Sequence, residues 1–249
     1  MAEELMNIAV IFAGGVGSRM KSDGLPKQFL EVNEKPIIIH TLLHFETHPQ
    51  IDAIVLVMNA DWMTLASQLV SDYGITKVAR VVPGGSTGQE SIYHGLLAAD
   101  ELVRSRGLND AIVLLHDGVR PVIDAGLISA NIEGVLEHGS AITCVPCKET
   151  VVMVDDEGGQ VVRSVKRKDT RIAKAPQSFF LSDILPAHES ARAAGEFDLV
   201  DSCTLMEFFG NVTPSVIEGD FDNIKVTTPE DYYTLKTLLD VHAGKLKEI

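Results

Sequence analysis

The chain has 249 residues, 45% of them hydrophobic, which is enough to bury one sizeable core in a single α/β domain or a domain with an appendage. Its 35 acidic and 21 basic side chains leave a net charge of −14, which argues against nucleic acid or an anionic membrane as partner and makes any local basic cluster informative. No apolar run approaches the ~20 residues that span a bilayer, the acidic start Met1-Ala2-Glu3-Glu4-Leu5 is not a secretory signal, and three cysteines make no disulfide framework, so a cytoplasmic location is expected.

Residues 8–12 (IAVIF) form an unbroken apolar run, which predicts a strand buried on both faces of a parallel sheet. The chain then turns at Ala13-Gly14-Gly15-Val16-Gly17-Ser18, where glycines let backbone N–H groups converge on an anion. Arg19 follows at once, and Lys27 comes eight residues later. Pro26 stops a helix in between, so the loop folds back and brings Lys27 near Arg19. Polyphosphate is the natural ligand of such a cationic, N–H-lined site. A glycine cluster also serves as a plain tight turn, and this one has neither the G-x-G-x-x-G spacing of a dinucleotide site nor the G-K-[ST] of a Walker loop.

Helical spacing follows over 37–47, then a buried strand over 51–58 and a helix to residue 70 with Asp61 as its cap. A strand is predicted over 78–82, ahead of Pro83-Gly84-Gly85, and a helix over 89–103. A fourth strand over 111–116 ends at Asp117-Gly118, Asp124 caps a helix to about 137, and a fifth strand covers 141–145. This alternation predicts a parallel sheet covered on both faces, with ligands at the carboxyl ends of its strands. The glycine turn, Gly84-Gly85 and Asp117 all fall at those ends. At that position Asp117 suits a divalent metal beside a triphosphate, or a helix cap; His116 reads as structural. Cys144-Val145-Pro146-Cys147 reads as two buried thiols, since no second pair completes a zinc site.

The texture then changes. Residues 150–154 and 161–163 are β-rich and flank the turn signal Asp155-Asp156-Glu157-Gly158-Gly159, which predicts a hairpin. A lone hairpin is marginal in water, so it is expected to pack on another subunit. A basic run over 163–171 leads to Ala175-Pro176-Gln177. Helices are predicted over 182–194 and 201–209, a strand over 215–218, and a closing helix from Pro229.

Several of these strings occur together in one known family. AGGVGSRM with LPKQFLEVNEKPIIIHTL, the H-D-x-x-R-P of residues 116–121 and the N-I-K-V-T-x-P-E-D of residues 223–231 resemble the cytidylyltransferases that act on polyol phosphates, over nearly the whole chain. The resemblance implies an α/β fold: a three-layer, Rossmann-like, mostly parallel sheet of the nucleotide-diphospho-sugar transferase type with a protruding β-hairpin arm. It further implies a single domain over 1–249 whose arm, at about 147–170, exchanges across a homodimer. CTP and a small polyol phosphate would be the substrates and Mg²⁺ the metal.

By the same resemblance Arg19, Lys27 and Lys225 carry the charge neutralisation of catalysis. Ala13, Gly14, Gly15, Gly17, Gly84, Gly85, Ser91 and Asp117 bind the nucleotide. Arg120, Thr150 and Arg167 bind the acceptor, the last two from the neighbouring subunit, and Asp117 and Asp222 hold the metal. Two positions depart from the pattern: Gly88 stands where an arginine is usual, and A-P-Q replaces T-P-Q, so Ala175 lacks a hydroxyl.

The family has two branches, one acting on 2-C-methyl-D-erythritol 4-phosphate in isoprenoid synthesis and one on D-ribitol 5-phosphate in teichoic-acid and capsule synthesis. A-G-G in the first loop and T-T-P near the end lean towards the ribitol branch. A nucleotide-sugar pyrophosphorylase using another base, or a non-catalytic nucleotide sensor, are the rival readings. The joint presence of Arg19, Lys27, Asp117 and Lys225 argues against the sensor.

Overall fold

The computed structural model describes residues 5–14, 24–155 and 157–246, so the predicted site residues Gly15, Gly17 and Arg19 lie outside the described residues. The first half follows the predicted alternation. It runs β1 (Met6–Ala13), the short pair β2 (Glu31–Val32) and β3 (Lys35–Pro36), α1 (Ile37–Thr47), β4 (Ala53–Met58) and α2 (Met63–Asp72). Next come β5 (Val78–Pro83), α3 (Gly88–Ser105), β6 (Ala111–Asp117), α4 (Ala125–His138) and β7 (Ser140–Pro146). The second half holds the hairpin β8 (Val152–Val154) and β9 (Val161–Ser164), then β10 (Arg171–Phe180), α5 (Leu181–Ala193), α6 (Ser202–Phe209), β11 (Val216–Glu218) and α7 (Pro229–His242).

The main sheet has seven strands in the order β11-β7-β10-β6-β1-β4-β5. All pair in parallel except β10, which is antiparallel to β6 and to β7. Strands β4 and β6 are buried along their whole length, which is why they read as continuous apolar runs. Ile38, Leu42 and Phe45 of α1, Ala66 of α2 and Ile128 and Ile132 of α4 close one face. Ile92, Leu96 and Ala99 of α3, Ile184 and Ala187 of α5 and Leu205 of α6 close the other. A smaller cluster joins Leu235 of α7 and Val226 to Val119 and Val122. The result is the expected three-layer, mostly parallel α/β fold.

The order in which strands are added to the sheet reverses at β1. The next strand, β4, lies on one side of it and β6 on the other, so a crevice opens at their carboxyl ends. Phe12 stands beside Asp117, Ala13 beside Met58 and Met58 beside Pro83, so those ends are level.

One local expectation is corrected, and one strand was not foreseen. Asp61 caps nothing: the Asn59 side chain accepts from the Asp61 N–H at 2.9 Å and opens a short 3-10 turn, and α2 starts only at Met63. The ten-residue β10 has no counterpart in the sequence reading. Its register shifts between Ala173 and Gln177, where the cis bond Ala175–Pro176 lies. Pro176 lacks the N–H a regular ladder needs, so it fits at that irregularity. Asp124 does cap α4, accepting from the Leu127 N–H at 2.7 Å.

Candidate active site

Asp117 ends β6 and is 7% exposed. Its two carboxylate oxygens are both engaged. Oδ1 lies 2.7 Å from Lys225 Nζ, and Oδ2 accepts from Arg120 Nε at 2.7 Å. Burial opposes ionisation of this carboxyl, but Lys225 and Arg120 outweigh it, and the pKa is held below the ordinary aspartate value. Arg120 also donates to the Asn223 carbonyl at 3.0 Å.

The loop that carries Arg120 is pinned from beneath. The Gly118 N–H donates to Phe12 O at 3.0 Å, and Thr41 Oγ1 donates to Gly118 O at 3.1 Å. His116 Nε2 lies 3.1 Å from Arg120 O, and His44 Nε2 lies 3.0 Å from Pro121 O. His116 is fully buried, and burial pushes its pKa down to about 4, so the neutral ring acts as a strut, as expected from the sequence. Gly118 has to be glycine: a Cβ there would sit 2.6 Å from Ile38 Cδ1 and 2.8 Å from the Ala13 Cβ.

Lys225 is placed by its successor. Val226 is fully buried and its N–H donates to Val119 O at 3.0 Å, which lays the segment beside the Arg120 loop. Just beyond, Thr228 and Asp231 form a capping box with Pro229 at the helix start. Asp231 also accepts from the Thr227 N–H and hydroxyl at 2.8 and 2.7 Å. The T-x-P-E-D half of the motif is thus a helix start that fixes the lysine before it.

On the other side of β1 the predicted nucleotide residues meet around one hydroxyl. Ser91 Oγ accepts from the Gly85 N–H at 3.1 Å and donates to Thr87 O at 2.9 Å. A Cβ on Gly84 would lie 2.9 Å from that hydroxyl, and one on Gly14 would lie 3.5 Å from it. Ala13, Gly14, Gly84, Gly85 and Ser91 are therefore brought together. Lys27 opens a three-residue 3-10 turn whose Gln28 donates to Ala13 O at 2.8 Å, tying the P-K-Q string to the end of β1.

Thr150 and Arg167 are brought together as well, Arg167 Nη2 donating to Thr150 Oγ1 at 3.2 Å. Neither lines the cavity of about 450 Å³ that Asp117, Arg120 and Lys225 share with Ala175 and Gln177. Asp222 is elsewhere too. Its Oδ2 lies 3.2 Å from His242 Nε2, and it lines a separate cavity of about 380 Å³. Magnesium commonly takes one or two carboxylates and completes its shell with water and phosphate oxygens. Of the two carboxylates expected at a metal, Asp117 lines this cavity and Asp222 does not, so a magnesium ion held here would take Asp117 as its protein carboxylate. Among the described residues no cluster of three acidic, His or Cys side chains supplies a metal cage by itself.

One cation in this cavity has no counterpart in the sequence reading. Lys174 donates to Phe221 O and Asn223 O, each at 3.0 Å, and burial followed by the nearby Arg120 lowers its pKa. It sits on the unforeseen β10, and a lone lysine before A-P-Q gives no signal by itself. Only the position of β10 between β6 and β7 brings it beside Arg120.

Residues 7–240 match the family described as IspD: 2-C-methyl-D-erythritol 4-phosphate cytidylyltransferase. A ribitol-5-phosphate cytidylyltransferase of Streptococcus agalactiae serotype V is 51% identical, over 97% of this chain and 98% of that protein. A 2-C-methyl-D-erythritol 4-phosphate cytidylyltransferase of Clostridium botulinum is 36% identical, over 94% of this chain and 97% of that one. The crystal structure of 4-diphosphocytidyl-2C-methyl-D-erythritol synthase from Anaerococcus prevotii superposes with a TM-score of 0.80 at 28% identity, covering 95% of this chain and 96% of that one.

Proposed function

Because this chain belongs to the IspD family of cytidylyltransferases, and so to the nucleotidyltransferases, we propose that it joins CMP from CTP to D-ribitol 5-phosphate and releases pyrophosphate. The geometry that carries the reading is Asp117 at the carboxyl end of β6, held between Lys225 and Arg120 at the mouth of the crevice. The ribitol-type acceptor is supported by the nearer relative's name and by the A-G-G and T-T-P strings.

The acceptor's phosphate is already an anionic nucleophile, so no strong general base is needed. It attacks the α-phosphorus of CTP, forming one P–O bond as the bond to pyrophosphate breaks. Both reactants are anions, and the protein's work is to neutralise charge and align them. Lys225 and Lys27, with Arg19, meet the triphosphate. The Gly84-Gly85 backbone and the Ser91 hydroxyl, already packed against Gly14, frame the cytidine. Asp117 orients Lys225 and Arg120, and Arg120 faces the acceptor. Magnesium, when bound at Asp117, adds charge neutralisation on the phosphate oxygens. The arm of one chain supplies Thr150 and Arg167 to the acceptor site of a second copy in a homodimer. No described helix is long and apolar enough to cross a membrane, which agrees with work on small soluble substrates.

Pyrophosphate release tests the reading. It is expected with CTP and D-ribitol 5-phosphate, and not with GTP, UTP or ATP. Turnover of 2-C-methyl-D-erythritol 4-phosphate alone would overturn the acceptor. Preference for another base would overturn the cytidine assignment.

A further inference from the structure

Besides Asp117 and Lys225, the cavity is lined by Gly88, Ile92, His188 and Leu205, which have no charge-neutralising role. His188 comes from α5 and is 1% exposed. Its ring lies 6.1 Å from that of Tyr93 at 24°, and neither ring nitrogen has a hydrogen-bond partner among the described residues. Buried polar atoms are almost always paired, so an orphaned donor and acceptor at the wall of a cavity mark a place where something binds.

The neighbouring polar groups are already spent. Gln89 donates to Glu196 O at 3.0 Å and accepts from the Leu199 N–H at 2.8 Å. Gln177 donates to Asp201 Oδ2 at 3.0 Å and accepts from the Cys203 N–H at 2.9 Å. Among the described lining residues, His188 alone has buried hydrogen-bonding atoms unused. Burial and the nearby Arg192 push its pKa down to about 4, so at neutral pH one nitrogen donates and the other accepts. Such a ring suits a hydroxyl, or a vicinal pair of them, and is unsuited to a phosphate. Gly88, which lines the same cavity, leaves space: a Cβ there would meet nothing within 4 Å.

We propose that His188 binds the hydroxyl end of the acceptor, the end remote from its phosphate, and that Gly88 keeps the room for it. The proposal rests on the polyol-phosphate reading above and assigns the part of the substrate that the cationic residues cannot read. The ~300–1,000 Å³ typical of small-molecule sites includes this cavity, of about 450 Å³.

Steady-state kinetics on the full-length wild type, His188→Leu, His188→Gln and Gly88→Leu test it. His188→Leu is expected to raise KM for D-ribitol 5-phosphate about tenfold while KM for CTP and the melting temperature hold. His188→Gln, which keeps a donor and an acceptor, should recover most of the loss. Gly88→Leu, filling space in the same cavity, should raise the same constant. An acceptor KM unchanged in His188→Leu would mean that a trapped water alone satisfies the ring, and the proposal would fall. If the wild type turns over 2-C-methyl-D-erythritol 4-phosphate instead, the ribitol reading fails, and the same comparison run on that acceptor still decides the role of His188.

Discussion

The loop after β6 and the β8–β9 arm both carry a cationic side chain assigned to the acceptor, and they are built in opposite ways. The loop is finished by its own chain: Gly118 O, Arg120 O and Pro121 O each face a polar side chain, and Arg120 is fixed on Asp117 and Asn223. In the arm every residue of both strands is exposed, Val161 and Val162 by more than 60%, and the hairpin forms a two-stranded sheet of its own. Arg167 there donates to the flanking Thr150, and neither residue lines the cavity that holds Asp117. A segment whose polar and apolar groups are all provided for carries its part of a site unaided. A segment with bare valines and cations grouped at its base needs a second surface before it can do the same, and a second copy is the commonest source.

The largest effect is expected where the loop side is broken. Lys225→Ala and Lys27→Ala should each lower turnover on the order of a hundredfold, the size of one charge-stabilising group. Turnover near wild type with the fold intact would remove both from the triphosphate.

Acid sharpens the same contrast, because the buried titrating groups belong to the core and not to the arm. His116 and His188 have folded-state pKa values of about 4 against the ordinary 6.5. Between those values the unfolded chain takes up protons that the folded chain refuses, so stability falls as pH drops from about 6.5 towards 4. Each ring should cost on the order of 2 kcal/mol by pH 5. Asp117, with its pKa held down, adds a loss only below the ordinary aspartate value of 3.8. Denaturant midpoints at pH 7 and pH 5 measure this, and His188→Leu should flatten the fall.

The smallest effect concerns a residue that serves the loop side from a distance. Asp124→Ala removes the α4 cap next to the Arg120 loop and should cost about 1 kcal/mol of stability, read from thermal unfolding, with the arm unaffected.

Much of this was legible in the sequence because the first 146 residues encode their structure locally. The apolar run 111–116 is a strand with both faces buried, Asp124 caps the next helix, and glycines at 84, 85 and 118 mark close approaches. The capping box at Thr228 and Asp231 likewise sits inside the motif that pointed to Lys225. What was not legible depends on contacts distant in the chain. β10 mixes basic and apolar residues around Pro176 and becomes a strand because β6 and β7 leave a gap for it. Lys174 reaches Arg120 only through that placement. Asp222 lies three residues before Lys225, yet its carboxylate turns to His242 and another cavity. Local spacing carries no information about which side of a loop a carboxylate takes.

Subunit mixing tests the central claim, that one chain builds the loop half of each site and another chain the arm half. Arg167→Ala and Lys27→Ala proteins, each nearly inactive alone, are exchanged in equal amounts and assayed for pyrophosphate release. Half of the dimers are then mixed, and each mixed dimer holds one site with both defects and one with neither. Activity should rise to about a quarter of the wild-type value. No rise after verified exchange, or a monomer at working concentration, would contradict the shared site.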